Sequence, residues 1–376
     1  MADKTRLETL EDCEDFINGS MWLGTGGGGT YDIAMEMLSN ALEDGLSLEW
    51  VDIDSVDDDV WTATFSVHGS LAPKTQETLD EIERIGLVDE LGDSCVIEAI
   101  KELEAFIGHK FGCLIPSEMG PEAAAQPLVI GAQMGLTVVD GDYIGRGVPE
   151  ETQSTYSLYG KQSNFFTSVD RWGNRTIVKH AANAQALERI AKMLALAAYG
   201  ETAVATTPLV AREVKEILIR GTYSKCLAIG RALRGARNNG QDPVNAGLNA
   251  AGGWRLFEGQ VSGVEAGTVN GYWVGSVKIE GTGKHLGQNL DVWFKNENLV
   301  SWLDDRPWIC SPDLLALLHP DGHGIYNTDF EVGQKLVAIG MKGVEGFRTE
   351  QGLKLASPRY FGFDIDYVPI EELMTG

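Results

Sequence analysis

Directly ahead of an amphipathic helical stretch, the chain reads Gly24-Thr25-Gly26-Gly27-Gly28-Gly29-Thr30. Consecutive glycines reach positive φ freely and let backbone N–H groups approach a ligand, and a following helix start favours an anion. Gly26, Gly27, Gly28, Gly29 and Thr30 are therefore candidate substrate-binding residues for a carboxylate, an imide oxygen or another anionic group, with a purely structural turn as the plain alternative. The run also satisfies G-x-G-x-x-G, and Asp52 and Asp54 stand 23 and 25 residues past its last glycine, near where a ribose-binding acid would sit. A nicotinamide-dependent oxidoreductase is thus one reading, and the weaker one. Only Met21-Trp22-Leu23 separates the run from a helical stretch, which is short for a first nucleotide-binding strand, and the Lys-Ser/Thr ending of a P-loop is missing.

A second chemical segment follows the apolar stretch Leu136 to Val139, continuing Asp140-Gly141-Asp142-Tyr143-Ile144-Gly145-Arg146-Gly147-Val148-Pro149-Glu150. Acids at the C-terminal end of a strand stand where open α/β sheets build their sites. Asp140, Asp142 and Glu150 beside the fixed cation of Arg146 suit general acid–base work, since crowding in a sheltered site raises a carboxylate's pKa, or the holding of a divalent metal ion. Glu118, in Ser117-Glu118-Met119-Gly120, would reach the same sheet edge if its strand runs parallel to that one. In the second half, Asn296-Glu297-Asn298 ends a Trp/Phe/Val strand and offers amide and acid groups for a planar heterocycle or a metal. Arg231, Arg234 and Arg237 at i, i+3, i+6 form a basic helical stripe suited to ion pairing with the acidic surface or with a partner subunit. Cys226 and Cys310 have no neighbouring histidine in sequence to activate them, and His319 and His323 flank a Pro-Asp-Gly turn that breaks the helical i,i+4 spacing of a metal pair.

The elements that must position these groups follow from composition and periodicity. With 376 residues, 43% hydrophobic and 23% charged, the chain is of ordinary globular composition and long enough for two domains. A net charge of −25, from 55 acidic and 30 basic residues, argues against nucleic acid and anionic membrane surfaces as partners. The acidic start MADKTRLETLEDCEDF is unlike a signal peptide and the five cysteines form no C-x-x-C pair, so the expectation is a soluble cytoplasmic protein. Helices are expected over 5–18, 30–44, 74–85, 94–108 and 122–134, alternating with strands at 48–53, 60–67, 111–115 and 136–139. This alternation predicts an α/β N-terminal domain with a largely parallel sheet. A hairpin around Gly173-Asn174 and helices at 184–199, 208–219 and 223–238 come next, and from residue 252 strand-length apolar segments separated by Gly, Asn and Asp turns predict a small barrel or sandwich. We place the domains at 1–165 (α/β) and 166–376 (β-rich with a helical insertion).

GTGGGG, SEMG, VVDGDYIGRGVPE, IGRALRGAR, DVWFKNENLV, SPDLL and SPRYFGFDIDYVP, in that order along nearly the whole chain, resemble the S-methyl thiohydantoin desulfurase-like family, associated with hydantoin utilisation. The resemblance implies an α/β N-terminal and a β-rich C-terminal domain. It also implies a hydrolase in which water attacks the ring carbon carrying an S-methyl group and methanethiol leaves. On that expectation Asp140 and Asp142 act as base or metal ligands, Glu118 and Glu150 as acid or orienting groups, and Arg146 and the glycine run bind the small cyclic substrate. Two segments depart from the family pattern: Gly120-Pro121-Glu122-Ala123 and Val67-His68-Gly69-Ser70. The alternative of a different class is a non-catalytic accessory subunit of a hydantoinase- or oxoprolinase-type system, meeting its partner, or further copies of itself, through the acidic surface and the arginine helix.

Overall fold

The computed structural model describes residues 4–69, 75–88, 91 and 94–375; Ser70 and Lys74, which close one departing segment and open one expected helix, lie outside them. In chain order the first half runs β1 (Lys4–Leu7), α1 (Leu10–Gly24), α2 (Tyr31–Glu43), β2 (Leu48–Val51), β3 (Trp61–His68), α3 (Gln76–Arg84), α4 (Ser94–Ile107), β4 (Cys113–Leu114), α5 (Pro121–Met134), β5 (Thr137–Val139) and β6 (Gly141–Asp142). There follow α6 (Thr155–Leu158), the hairpin β7 (Phe166–Asp170) and β8 (Arg175–Val178), α7 (Ala184–Ala197), β9 (Thr202–Val210), α8 (Ala211–Ile217), β10 (Ile219–Arg220), α9 (Thr222–Asn238) and α10 (Pro243–Ala251).

The first sheet has strand order β1-β2-β5-β4-β3-β9-β7-β8. Its centre, β2-β5-β4-β3, is parallel, and antiparallel strands extend it on both flanks. Helix packing on the sheet explains why these strands read as short apolar runs rather than alternating ones. The α/β expectation is met, with two local differences. Residues 4–7 pair with β2 as an edge strand, and the first helix starts only at Leu10, where the Thr9 side chain accepts the Asp12 N–H at 3.1 Å. The helix expected over 208–219 is preceded by β9, whose β-branched Thr202, Val204 and Thr206 suit a strand. Pro208 is tolerated there because a register shift opposite Thr62 and Thr64, with Thr207 at φ +46°, places it at a bulge.

The second sheet comprises β11 (Gly253–Val269), β12 (Tyr272–Gly281), β13 (Asn289–Lys295), β14 (Glu297–Leu303), β15 (Arg306–Cys310), β16 (Leu314–Leu318) and β17 (Lys335–Met341), in the order β15-β14-β13-β12-β11-β17-β16. All its pairings are antiparallel, and β14 and β15 curl round to touch β16, giving a half-barrel filled by Phe257, Val277, Ile279, Val292 and Phe294. The short helices α11 (Glu345–Arg348), α12 (Glu350–Ala356) and α13 (Ile370–Thr375) close the chain.

Helix α9 packs along α1, and two glycines set how closely. A Cβ at Gly19 would stand 1.8 Å from the Cys226 carbonyl oxygen, and one at Gly230 would stand 1.7 Å from that of Asp15. Two arginines of the α9 stripe serve this packing, Arg231 pairing with Asp12 and Arg234 with Asp15, each at 2.8 Å, while Arg237 donates to the Asp321 carbonyl beyond β16 at 2.9 Å.

Candidate active site at the domain junction

The glycine run joins α1 to α2, so the strand–loop–helix setting of a dinucleotide site is not what surrounds it. Asp54, the would-be ribose ligand, is paired with Arg220 at 2.7 and 3.0 Å. Close approach is nonetheless the reason for the glycines. A Cβ would stand 2.7 Å from the Asn327 side chain at Gly26 (φ +95°), 2.1 Å from Glu297 Oε1 at Gly27, 2.6 Å from the Gly120 Cα at Gly28 and 2.4 Å from Glu122 at Gly29. The start of α2 is taken by the protein's own carboxylate, since Glu122 Oε1 accepts the Thr30 N–H at 2.6 Å. The loop also clamps the second domain: the carbonyls of Thr25 and Gly26 accept the N–H groups of Asn298 and Asn327 at 2.9 and 3.0 Å.

Arg146 is the hinge pin of the junction, 4% exposed. Its guanidinium donates to the carbonyls of Gly147 (2.9 Å), Asp313 (3.1 Å) and Asn298 (2.8 Å) and to Thr25 Oγ1 (2.9 Å). Burial draws its pKa down to about 10 against the pull of Glu297, Asp313 and Glu118, so it remains a cation at neutral pH. With four of its five N–H donors bonded to the protein, it supplies a fixed positive charge.

Around that charge carboxylates gather from both domains. Glu118 accepts the Val148 N–H at 2.8 Å, and burial and then the neighbouring Glu297 push its pKa well up. Burial raises Glu297 too, to about 8, with Arg146 opposing; its Oε2 has no hydrogen-bond partner among the described residues. Two sheltered acids that repel one another both resist ionisation and titrate as a pair. Beside them burial raises Glu151, which accepts the Tyr156 hydroxyl, while Glu150 pairs with Lys295 and accepts the Tyr360 hydroxyl. Lys295 lies 3.9 Å and Lys192 4.6 Å above the ring of Tyr272.

Of the residues singled out in the sequence, Glu118, Glu150, Arg146, Glu297 and the glycine run therefore meet at one place. Asp140 and Asp142 sit behind it and shape its walls. Asp140 caps α9, accepting the Ser224 N–H at 3.0 Å and its hydroxyl at 2.5 Å. Asp142 Oδ1 accepts the N–H groups of Ile144 and Gly145 at 2.6 and 2.5 Å and so folds the turn that aims Arg146, while burial lifts its carboxyl to about 6. Asn296 (φ +59°) makes the break between β13 and β14, its side-chain oxygen accepting the Trp273 N–H at 2.9 Å. Glu151, Lys192, Lys295, Tyr272 and Tyr360 were not anticipated. Signals existed for three of them: Glu151 adjoins Glu150, Lys295 adjoins Asn296, and Tyr360 lies in the SPRYFGF motif.

Other groups lie elsewhere. Cys226 and Cys310 are buried free thiols, and burial pushes Cys310 up to about 11. His319 and His323 close a turn through a 2.8 Å backbone hydrogen bond. Among the described residues no three His, Cys, Asp or Glu side chains converge as a metal-ligating group, and no helix is long and apolar enough to cross a membrane.

The chain is similar over 98% of its length to the whole of a crystal structure of a protein from Chromobacterium violaceum, a structural-genomics target, with a TM-score of 0.75 and 20% identity, a likeness of fold. No curated protein matches it. Family models described as S-Me-THD-like, N-terminal domain and S-Me-THD-like, C-terminal domain match residues 11–180 and 182–370. A glycine clamp, a buried arginine and carboxylates drawn from both of these regions thus stand in a chain that belongs to the S-Me-THD-like family, the one its ordered motifs resemble.

Proposed function

We propose that the protein is a hydrolase of hydantoin-related metabolism that acts on an S-methyl thiohydantoin-like ring, replacing the S-methyl group by oxygen and releasing methanethiol. The observation that carries this reading is the Glu118–Glu297 pair, two buried carboxyls that raise one another's pKa across the domain junction beside Arg146. Such a pair offers a base and an acid at the same pH. The net reaction needs both: oxygen from water bonds to the carbon that bore sulfur, one proton of that water ends on the ring nitrogen, and the other leaves with the thiolate.

Recognition follows from the same groups. Glu297 Oε2 and Asn327 Oδ1, buried acceptors without partners among the described residues, suit the N–H donors of a five-membered imide-like ring. Arg146, four of whose five donors are engaged, acts at short range on the charge that develops on the ring during attack. Asp140 and Asp142 serve in this reading as supports of the Arg146 turn and of α9.

The test is a free-thiol assay with S-methyl thiohydantoin and the full chain. Release of methanethiol, reduced roughly 100-fold or more in Glu118→Gln and Glu297→Gln variants that keep the wild-type melting temperature, is the expected result. Repeating the assay with a chelator reads out a divalent ion. No release by the wild type sinks the desulfurase reading and moves the weight to the accessory subunit.

A further inference from the structure

Strand alternation places Thr64, Ser66 and His68 on one face of β3, and α7 packs against that strand. Ser66 Oγ lies 3.1 Å from His68 Nε2. On the far side of the imidazole, His68 Nδ1 faces Glu188 Oε1 on α7 at 3.7 Å, and the two residues are only 5% and 9% exposed. Neither Nδ1 nor Oε1 has a hydrogen-bond partner among the described residues. The contact is an ion-pair distance longer than a hydrogen bond, and each atom lacks another partner among the described residues to compete for it.

From this arrangement we infer that Ser66 is a nucleophile, with His68 as its general base and Glu188 as the positioning residue, directed at an electrophilic carbon of the thioimidate or ester class. With the Nδ1 proton donated to Glu188, Nε2 keeps a lone pair for the Ser66 hydroxyl, the polarity of a serine–histidine–acid relay. Burial, reinforced by Lys192, holds His68 far below its ordinary pKa, so its ring is neutral at rest and takes a proton only with an ionised carboxylate drawn up to Nδ1. The carboxylate opposite Nδ1 is what stabilises the imidazolium as it forms. Burial raises Glu188 to about 7, with Lys192 opposing and Glu151 and Glu150 adding to the rise, and the Glu188 carboxyl also takes the Glu151 N–H. Ser66 is part-exposed and its hydroxyl also reaches the Glu151 carboxyl, so it adjoins the carboxylates of the junction, and its one proton has to turn from Glu151 to His68 Nε2 for attack.

The choice of substrate rests on the desulfurase reading; the nucleophile does not. For the thiohydantoin-like ring, Ser66 Oγ bonds to the carbon bearing sulfur and its proton passes to His68 Nε2. The C–S bond then breaks, and the thiolate leaves with that proton as methanethiol. Water attacks the Oγ-linked carbon, the C–Oγ bond breaks, one proton of the water returns to Ser66 through His68, and the other reaches the ring nitrogen through the Glu118–Glu297 pair.

The experiment is labelling of the full chain with a fluorophosphonate, which forms an Oγ–P bond with loss of fluoride, followed by intact-mass measurement and peptide mapping. One adduct on Ser66 is expected. Its rate should fall roughly 100-fold in His68→Ala, and no adduct should form in folded Ser66→Ala. In wild type the rate should decline below about pH 7 as Glu188 gains its proton; in Glu188→Gln it should be slow and lack that decline. Absence of a Ser66 adduct in folded wild type, or an unchanged rate in His68→Ala, overturns the proposal. Methanethiol release as fast in Ser66→Ala as in wild type overturns it while leaving the desulfurase reading intact. A Ser66 adduct without any methanethiol release supports the nucleophile and sinks only the desulfurase.

Discussion

Glu297 Oε1 fills the space where a side chain on Gly27 would begin, 2.1 Å from the position of its Cβ. Gly27→Ala therefore has to displace the carboxylate from its place beside Arg146 and Glu118. We expect a loss of about 1–3 kcal/mol in stability, as for other overpacked sites, and a fall in methanethiol release of about 10-fold or more from the displaced acid. Urea unfolding and steady-state kinetics on the same preparation check both. Full turnover by a folded Gly27→Ala variant would remove Glu297 from the chemistry.

The raised carboxyl of Glu297 makes stability depend on pH in a definite sense. Its pKa rises from the ordinary 4.5 to about 8 on folding, so the folded state holds a proton that the unfolded chain gives up. That contribution is complete below 4.5 and is lost as pH climbs through about 8. Glu297→Gln has no such proton to lose. Its stability relative to wild type should grow between about pH 5 and about pH 9, by about 1 kcal/mol or more, when both are unfolded with urea at each pH. A constant difference would show that Glu297 is ionised throughout.

The contact between α1 and α9 predicts a sharp contrast within one helix. Gly230→Ala sets a methyl group 1.7 Å from the backbone oxygen of Asp15, which no rotamer change relieves, whereas nothing lies within 4 Å of a Cβ at Gly235. Separating the helices also loosens the Phe16–Tyr223 contact, with ring centroids 5.1 Å apart, and the Arg234–Asp15 pair. Gly230→Ala should destabilise by more than about 3 kcal/mol, and Gly235→Ala should stabilise by up to about 1 kcal/mol. Thermal melts of the two variants decide it, and equal melting temperatures would contradict the close crossing.

Asp313 ties down the end of the chain. Its carboxyl, 1% exposed, accepts the Gly343 N–H at 2.7 Å and both the Ile370 N–H and the Tyr367 hydroxyl at 2.8 Å, with Arg348 at 3.5 Å. Asp313→Ala strands these donors, and a loss of about 3–5 kcal/mol is expected in denaturant unfolding. Limited proteolysis should then cut first between residues 343 and 370. A protease-resistant tail in the variant would show that other contacts hold it.

Periodicity in the sequence carried most of the helices and the β7–β8 hairpin, because their apolar faces recur locally. It did not carry β9, where Pro208 and a left-handed Thr207 imitate a break although the strand continues through a bulge. The site was legible to a similar degree. Four successive glycines announce close approach, but what approaches them is Glu297, far along the chain, and no local pattern encodes that meeting. Asp140 and Asp142 look like sheet-edge acids in the sequence. The Asp140 partner, Ser224, emerges only once α9 is folded over the sheet, whereas Asp142 closes a local turn onto Ile144 and Gly145, a capping role that side-chain type alone does not separate from catalysis. Glu188 and Lys192 sit on an ordinary amphipathic helix, and only the packing of α7 against β3 gives them a role.

The position of β9 between β3 and β7 bears on how the chain is born. The two family regions divide at residues 180 and 182, yet β9 belongs by sequence to the second and by hydrogen bonding to the first. A ribosome that has delivered the whole first region has therefore made a sheet with a missing slat, and the open strand edges on either side invite wrong pairing. Closure waits for Val210, and the carboxylate that completes the site, Glu297, arrives later still. The two regions thus share one sheet: expressed apart, the first should aggregate through its exposed edges, and co-production of the second should rescue it by strand insertion.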